Sequence, residues 1–349
     1  MTEVDTVVVG GGTAGLAAAW HLRAAGKRFV VLERDDRPGD VWRRRYDSLR
    51  LFTPARFCRL PGLPFPLDPR AHPSGTEMAD YLSEYAEHFA MPLHTGVRVR
   101  SHTVAGGQHR ITADNGTVFE ADSVIAATGA FGVPMIPAFA GDLSPGPPQM
   151  HSADYRNPAN VPPGPVLIVG AGTSAGDIAV ELAREHEVWM AGPSTGSVPV
   201  ALSRSRVLQR LVFSRRVPSG ALGGLVRAKV RRAAPLVWQS PASLRAAGVH
   251  RVPRVAGTRD GRPRLADGRV LDVASVVWCT GYRPGFGWLT PRAFGPDGWP
   301  AHRRGISATV PGLGFVGLPF QNTFSSGLVS GIPTDAAVVV NRLARHRSR

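Results

Sequence analysis

Two short glycine-rich stretches are the residues of this chain best equipped for chemistry. Gly10-Gly11-Gly12-Thr13-Ala14-Gly15 follows the β-branched run Thr6 to Val9 and opens an Ala/Leu-rich segment closed by Gly26. A second apolar run, Phe29 to Leu32, stops at Glu33. Strand, glycine turn, helix, strand and acid in that order make a dinucleotide site. Gly10 permits the tight turn, Gly12 lets the backbone approach a pyrophosphate, and Gly15 lets helix pack closely on strand. The helix N-terminus offers free N–H groups and a positive dipole end to the phosphates. Glu33 is placed to accept hydrogen bonds from a ribose diol.

The pattern recurs. Val166 to Val169 lead into Gly170-Ala171-Gly172-Thr173-Ser174-Ala175, a helical stretch to about Glu185, and the strand Val188 to Met190. Ala175 replaces the third glycine, which only has to be small. Here the second strand ends in Ala191-Gly192 with no acid. An acid would repel a 2′-phosphate, so this half suits NADP better than NAD. Ser194, Thr195, Arg204 and Arg206 are the candidates to meet that phosphate. One acid-terminated unit and one without an acid imply FAD first and NAD(P)H second.

Both loops need parallel sheets behind them. The 349 residues are enough for two domains. Between the motifs, Pro61 to Pro73 reads as a surface loop, and Ser74-Gly75-Thr76-Glu77 has the spacing of a capping box. It starts a helix to about Phe89, with Tyr81, Leu82, Tyr85 and Phe89 on its core face. Val97 to Val99, His109 to Ala113 and Thr117 to Ala127 read as strands. Asn115-Gly116 predicts a type I′ turn, and Asp260-Gly261 and Asp267-Gly268 predict further hairpins. Two apolar strands exit alike, at Ala127-Thr128-Gly129 and Cys279-Thr280-Gly281, where the chain passes between domains. The expected fold class is α/β, with two Rossmann-like domains and the NADP domain inserted into the FAD domain. The expected boundaries are 1–147, 148–281 and 282–349.

Composition removes other classes. The net charge is +15, from 41 Lys+Arg against 26 Asp+Glu. Only Lys27 and Lys229 are lysines, a skew that points to base composition rather than a nucleic-acid partner. Two distant cysteines, Cys58 and Cys279, exclude a disulfide framework, a zinc ribbon and a dithiol redox pair. The histidines show no metal spacing; His151 alone stands out, its role open between structure and function. The Arg-rich segment Arg204 to Arg232 reads as a solvated helical face rather than a membrane anchor, and the tail beyond Asn341 is expected to fray. With no basic leader before Glu3 and Asp5, the expected location is cytoplasmic.

The chain resembles the flavin-containing monooxygenases (class B flavoprotein monooxygenases), especially the compact bacterial type, over essentially its whole length. Beside the glycine motifs, the resemblance rests on Arg37-Pro-Gly-Asp-Val-Trp42, Tyr46-Asp-Ser-Leu-Arg-Leu-Phe-Thr-Pro54 and His151-Ser-Ala-Asp-Tyr155. It also rests on Cys279-Thr-Gly-Tyr282 and Pro311-Gly-Leu-Gly-Phe-Val-Gly-Leu-Pro-Phe-Gln321. By this resemblance Gly10, Gly12, Gly15, Glu33 and Arg34 hold the FAD adenosine and pyrophosphate. Gly39 and Trp42 lie by the flavin, and Asp47 and Thr53 near its ring. Val99 packs at the adenine, Thr128 and Gly129 line the crossover, and Phe320 and Gln321 close the isoalloxazine end. Gly170, Gly172, Thr173 and Ser174 carry the nicotinamide nucleotide.

The implied chemistry is hydride transfer from NADPH to the flavin and capture of O2 as a C4a-(hydro)peroxyflavin. NADP+ shields that adduct until a small organic substrate takes an oxygen atom. No metal is implied. Two departures narrow the subclass: Tyr155 stands where Baeyer–Villiger enzymes place Trp, and Thr53 is the nearest counterpart of an asparagine used by many N- and S-oxygenating members. A flavin reductase without oxygen transfer and a non-catalytic redox-sensing protein are the alternatives. The expected partners are the substrate and O2, with a homodimer left open. The pocket walls are expected from the proline-rich loop, residues 204–245 and Phe320 to Ser326.

Overall fold

A computed structural model describes residues 2–143, 146–198 and 235–346. The chain runs through β1 (Thr2–Val9), α1 (Thr13–Ala24), β2 (Phe29–Leu32), α2 (Asp40–Arg43) and α3 (Gly75–His88). It continues through β3 (Leu93–His94), β4 (Val99–Ala105), β5 (Gln108–Ala113), β6 (Val118–Ala126) and β7 (Val133–Pro134). Then come β8 (Gln149–His151), β9 (Val166–Val169), α4 (Thr173–Leu182), β10 (Val188–Ala191) and α5 (Pro241–Ala246). β11 (His250–Val252), β12 (Val255–Arg259), β13 (Arg262–Leu265), β14 (Ser275–Trp278) and β15 (Tyr282–Arg283) follow. β16 (His302–Arg303), β17 (Ile306–Ser307), β18 (Leu313–Phe315) and α6 (Ile332–His346) complete it.

Among the described residues two large sheets take fourteen of these strands, and β12–β13 and β7–β15 form two separate two-stranded sheets. The larger has the order β16-β17-β18-β6-β1-β2-β3, with the β4–β5 hairpin joined to β6. The smaller, β11-β10-β9-β14-β8, is parallel throughout. The chain leaves the larger sheet after β6, builds the smaller one, and returns so that β18 lies parallel to β6. The outgoing and returning crossovers pair with each other through Pro134 and Tyr282 in β7 and β15. The fold is therefore α/β, with the second Rossmann-like unit inserted into the first.

Local chemistry accounts for the elements. β9 (Val-Leu-Ile-Val) is buried on both faces, as a parallel strand between helices must be. α1 ends in a left-handed Gly26 at φ +64°, with Lys27 N–H donating to Leu22 O and Gly26 N–H to Arg23 O, the Schellman arrangement. The Ser74/Glu77 capping box forms at 3.1 and 2.7 Å, and Tyr81, Leu82 and Tyr85 are buried below it. α6 buries Ala336, Val339, Val340 and Leu343, one helical stripe. That stripe carries the helix past Asn341 to His346, where a frayed tail was expected.

Other local expectations are corrected. The strand expected at Val97 to Val99 begins at Val99 and runs to Ala105, because it pairs with β5. α4 stops at Leu182 rather than near Glu185. Asn115 is not left-handed; Gly116 is, at φ +82°, and Ala113 N–H bonds Thr117 O. That is a three-residue loop with a glycine bulge, not type I′. The Asp267-Gly268 turn follows the same plan. Asp260 and Gly261 are both left-handed, at φ +49° and +70°, as type I′ requires. Arg204 to Arg232 lie outside the described residues.

Candidate active site

The first glycine loop sits where β1 delivers the chain to α1. At Gly10 the backbone is left-handed, φ +106°, and a Cβ would lie 2.7 Å from Ala127 O. At Gly15 a Cβ would be driven into the Gly10 carbonyl. Gly12 differs. It is the N-cap of α1, makes no side-chain cap bond, and a Cβ there would have nothing within 4 Å among the described residues. The space beside Gly12 at the start of α1 is thus open among the described residues, which leaves room for an anion at a helix start.

Glu33 closes this loop. It is 9 % exposed, its Oε2 accepts the Gly11 N–H at 2.6 Å and its Oε1 accepts the Asp35 N–H at 2.9 Å. Burial pushes its pKa up against those two donors. Arg34 Nε pairs with Asp35 at 3.7 Å. Val97 N–H donates to Glu33 O, which brings the start of β4, with Val99, beside the end of β2.

Downstream, Gly39 is left-handed at φ +83° and caps α2; a Cβ there would meet Ala79 Cα at 2.7 Å. Trp42 packs partly buried against the core under α1 and α3. Thr53 is buried, and its Oγ1 lies 3.3 Å from Cys58 Sγ. Thr128 Oγ1 and Gln321 Nε2 are buried polar atoms without a partner among the described residues. Gly129 is left-handed at φ +72°, and Phe320 reaches φ +56° although it carries a side chain.

The Asp47 carboxylate holds Arg156 at 2.9 Å and the Asn157 amide at 2.7 Å. It ties the 46–54 segment to the residues after β8. Arg45 reinforces this junction by donating to Tyr282 Oη at 2.6 Å.

The second loop repeats the first. Gly170, at φ +132°, could not carry a Cβ without striking Cys279 O, just as Gly10 abuts Ala127. Gly172 is the N-cap of α4, also without a side-chain bond. Thr173, beside Ser174 in the first turn, donates its hydroxyl to Pro235 O at 2.6 Å. Thr195 donates its hydroxyl to Ala171 O at 2.7 Å, which commits its one proton to the loop. Arg204 and Arg206 lie outside the described residues. Arg251 was not anticipated. It sits in β11, beside Met190 of β10, and donates to Gly192 O at 2.8 Å. Burial lowers its pKa. Its presence at the strand end is visible only once β11 is known to pair with β10.

His151 resolves as a strut. Its Nδ1 accepts Ala153 N–H at 3.1 Å and its Nε2–H donates to Gly281 O at 3.1 Å. Both nitrogens are used, the ring stands edge-on to Tyr282, and burial lowers its pKa. Nearby, Tyr46 donates to Asp177 at 3.1 Å and Tyr155 to Glu181 at 2.9 Å. Burial raises Asp177 to about 6. Cys58 and Cys279 are both free. Among the described residues no group of three His, Cys, Asp or Glu could hold a metal ion, and no helix is long and apolar enough to cross a membrane.

Known proteins resemble this chain in sequence and fold. A sequence model of the family described as pyridine nucleotide-disulphide oxidoreductase matches residues 7–210. An uncharacterized CzcO-like oxidoreductase of Geobacillus kaustophilus is 34 % identical over 98 % of this chain and 99 % of its own length. An indole-3-pyruvate monooxygenase of rice is 36 % identical over 51 % of this chain and 45 % of its own. A flavin-containing monooxygenase of Stenotrophomonas maltophilia superposes with a TM-score of 0.84 at 28 % identity, covering 99 % of this chain and all of its own. The chain therefore belongs to the pyridine nucleotide-disulphide oxidoreductase family.

Proposed function

We propose that the protein is an FAD- and NADPH-dependent monooxygenase that uses O2 to oxygenate a small organic substrate. Residues 1–147 and 282–349 hold FAD, and residues 148–281 hold NADPH. The observation that carries this reading is a pair of uncapped glycine loops of one build, closed differently: the first by buried Glu33, the second by Gly192 and Arg251. A carboxylate suits a free ribose diol and a guanidinium suits a 2′-phosphate.

The first site fits FAD on its own terms. The space in front of Gly12 admits a pyrophosphate between Gly10 and Gly15; on this reading Arg34 flanks the phosphates and Val99 packs at the adenine. The unpartnered Thr128 Oγ1 and Gln321 Nε2 are buried groups of the kind that call for a partner, and the polar edge of an isoalloxazine supplies one. Gly39, Trp42, Thr53, Gly129 and Phe320 complete that wall. In the second site Gly170, Gly172, Thr173 and Ser174 meet the coenzyme pyrophosphate. The bound flavin supplies hydride acceptance and oxygen activation. The chain supplies position and dryness. Thr53, Ala127 and Gln321 are buried, which keeps water from the ring, and Asp47, Arg45 and His151 hold the two crossovers in register.

The test uses the flavin-loaded enzyme. Anaerobic mixing with NADPH should bleach the flavin faster than NADH does. Readmitting labelled O2 with substrate should place one labelled atom in product per NADPH consumed. Hydrogen peroxide as the sole oxygen product would make it a reductase, and no bleaching at all would leave a redox-sensing protein.

A further inference from the structure

A cleft of about 690 Å³ opens between residues 56–64 and the start of α6 at residues 330–334. Its described walls contain two guanidiniums, Arg56 and Arg59, and no carboxylate. Phe57, Leu60 and Leu63 supply an apolar floor, and Ser330 the opposite wall. Arg56 is held in place: it donates to Pro69 O at 3.2 Å and its guanidinium lies over the Phe57 ring. Arg59 is exposed and enters no hydrogen bond or ion pair with the described residues. Ser330 Oγ is buried and likewise lacks a partner among them. The nearest acid in sequence, Asp335, turns its fully buried carboxyl inward to Asn322 at 2.8 Å, so that among the described residues Arg59 meets no carboxylate in the cleft.

We propose that this cleft binds the substrate and that the substrate is an organic carboxylate. Its carboxyl pairs with Arg59, steadied by Arg56, while its apolar body lies on Phe57, Leu60 and Leu63. A planar guanidinium matches both oxygens of a carboxylate. Position supports the role. Cys58, between the two arginines, donates to Thr53 O at 3.2 Å, and residues 320–331 run from Phe320 and Gln321 into α6. The inference thus rests on the placement of the flavin beside Thr53 and Gln321.

Three carboxylates (phenylacetate, 3-phenylpropionate and octanoate), each paired with its carboxamide, test this by calorimetry on the flavin-loaded enzyme. At least one carboxylate should bind at least tenfold tighter than its amide. Arg59→Ala and Arg59→Glu should erase that preference while leaving amide binding unchanged. Equal affinity within every pair, no binding by any member, a preference that survives Arg59→Glu, or competition by equimolar inorganic phosphate would each overturn the proposal. Flavin reduction by NADPH is followed in the same preparation. If reduction proceeds without a carboxylate preference, the monooxygenase reading stands and this inference falls. A preference without reduction does the reverse.

Discussion

Gly10 lies directly against Ala127, with the position of a glycine Cβ only 2.7 Å from the Ala127 carbonyl oxygen. Gly12, two residues on, faces nothing within 4 Å among the described residues. The two glycines therefore serve different ends. Gly10→Ala should destabilise the fold by about 1–3 kcal/mol from backbone strain alone, with the clash added, and thermal melting reads this directly. Gly12→Ala should melt like the parent in its flavin-free form yet lose visible flavin absorbance. A fully yellow Gly12→Ala protein would refute the pyrophosphate placement.

Arg251 should set coenzyme choice. A charged hydrogen bond contributes about 1.5–3 kcal/mol, so Arg251→Ala should raise the KM for NADPH by about 10- to 100-fold. The KM for NADH should hardly move. Equal losses with both coenzymes would place the arginine outside the 2′-phosphate site.

The buried pair His102 and His109 makes stability fall in acid. The rings stack 5° from parallel, with His102 Nε2 and His109 Nδ1 2.9 Å apart and His109 Nε2–H donating to Pro311 O. That chain requires His109 to be neutral, since its Nδ1 accepts, and burial beside His109 disfavours a charge on His102. Burial lowers His102 to about 4 from an ordinary 6.5, and lowers His109 despite the opposing charge of Asp122. The unfolded chain then binds more protons between those values, so stability is full above pH 6.5 and declines as pH drops towards 4. The slope is at most about 1.4 kcal/mol per pH unit per ring. Denaturant melts at several pH values should show it, and the double variant His102→Phe, His109→Gln should flatten it.

Neither thiol should react in the folded protein. Burial pushes Cys58 up to about 11 and Cys279 up to about 12, so almost no thiolate exists at neutral pH. Iodoacetamide should label both only after unfolding. Labelling of native Cys58 would show that its segment opens.

The nucleotide loops were legible in the residues because their constraint is local. Only glycine reaches the φ of Gly10 or tolerates the Gly15 contact, so a spacing of two and then three residues suffices to announce the site. The same holds for the Ser74/Glu77 capping box and the strands Phe29–Leu32 and Val166–Val169, whose pattern and length leave one solution. Turn type was less legible. Asn-Gly favours a type I′ turn in isolation, but the register of β5 on β6 demands a three-residue loop, and register is a non-local quantity.

What the sequence by itself determined is the class of the molecule: two dinucleotide units of unlike ending, no dithiol and no metal spacing. Tertiary structure alone decided the partners that meet across many residues. Arg251 reaches Gly192 because a strand some sixty positions away pairs with β10. Asp47 faces Arg156, and His151 braces Gly281, because the two crossovers lie side by side. Arg59 borders a cleft because α6 returns from the far end of the chain to form its other wall. Backbone geometry is written residue by residue, whereas side-chain partnership depends on which distant segments the packed sheets bring together.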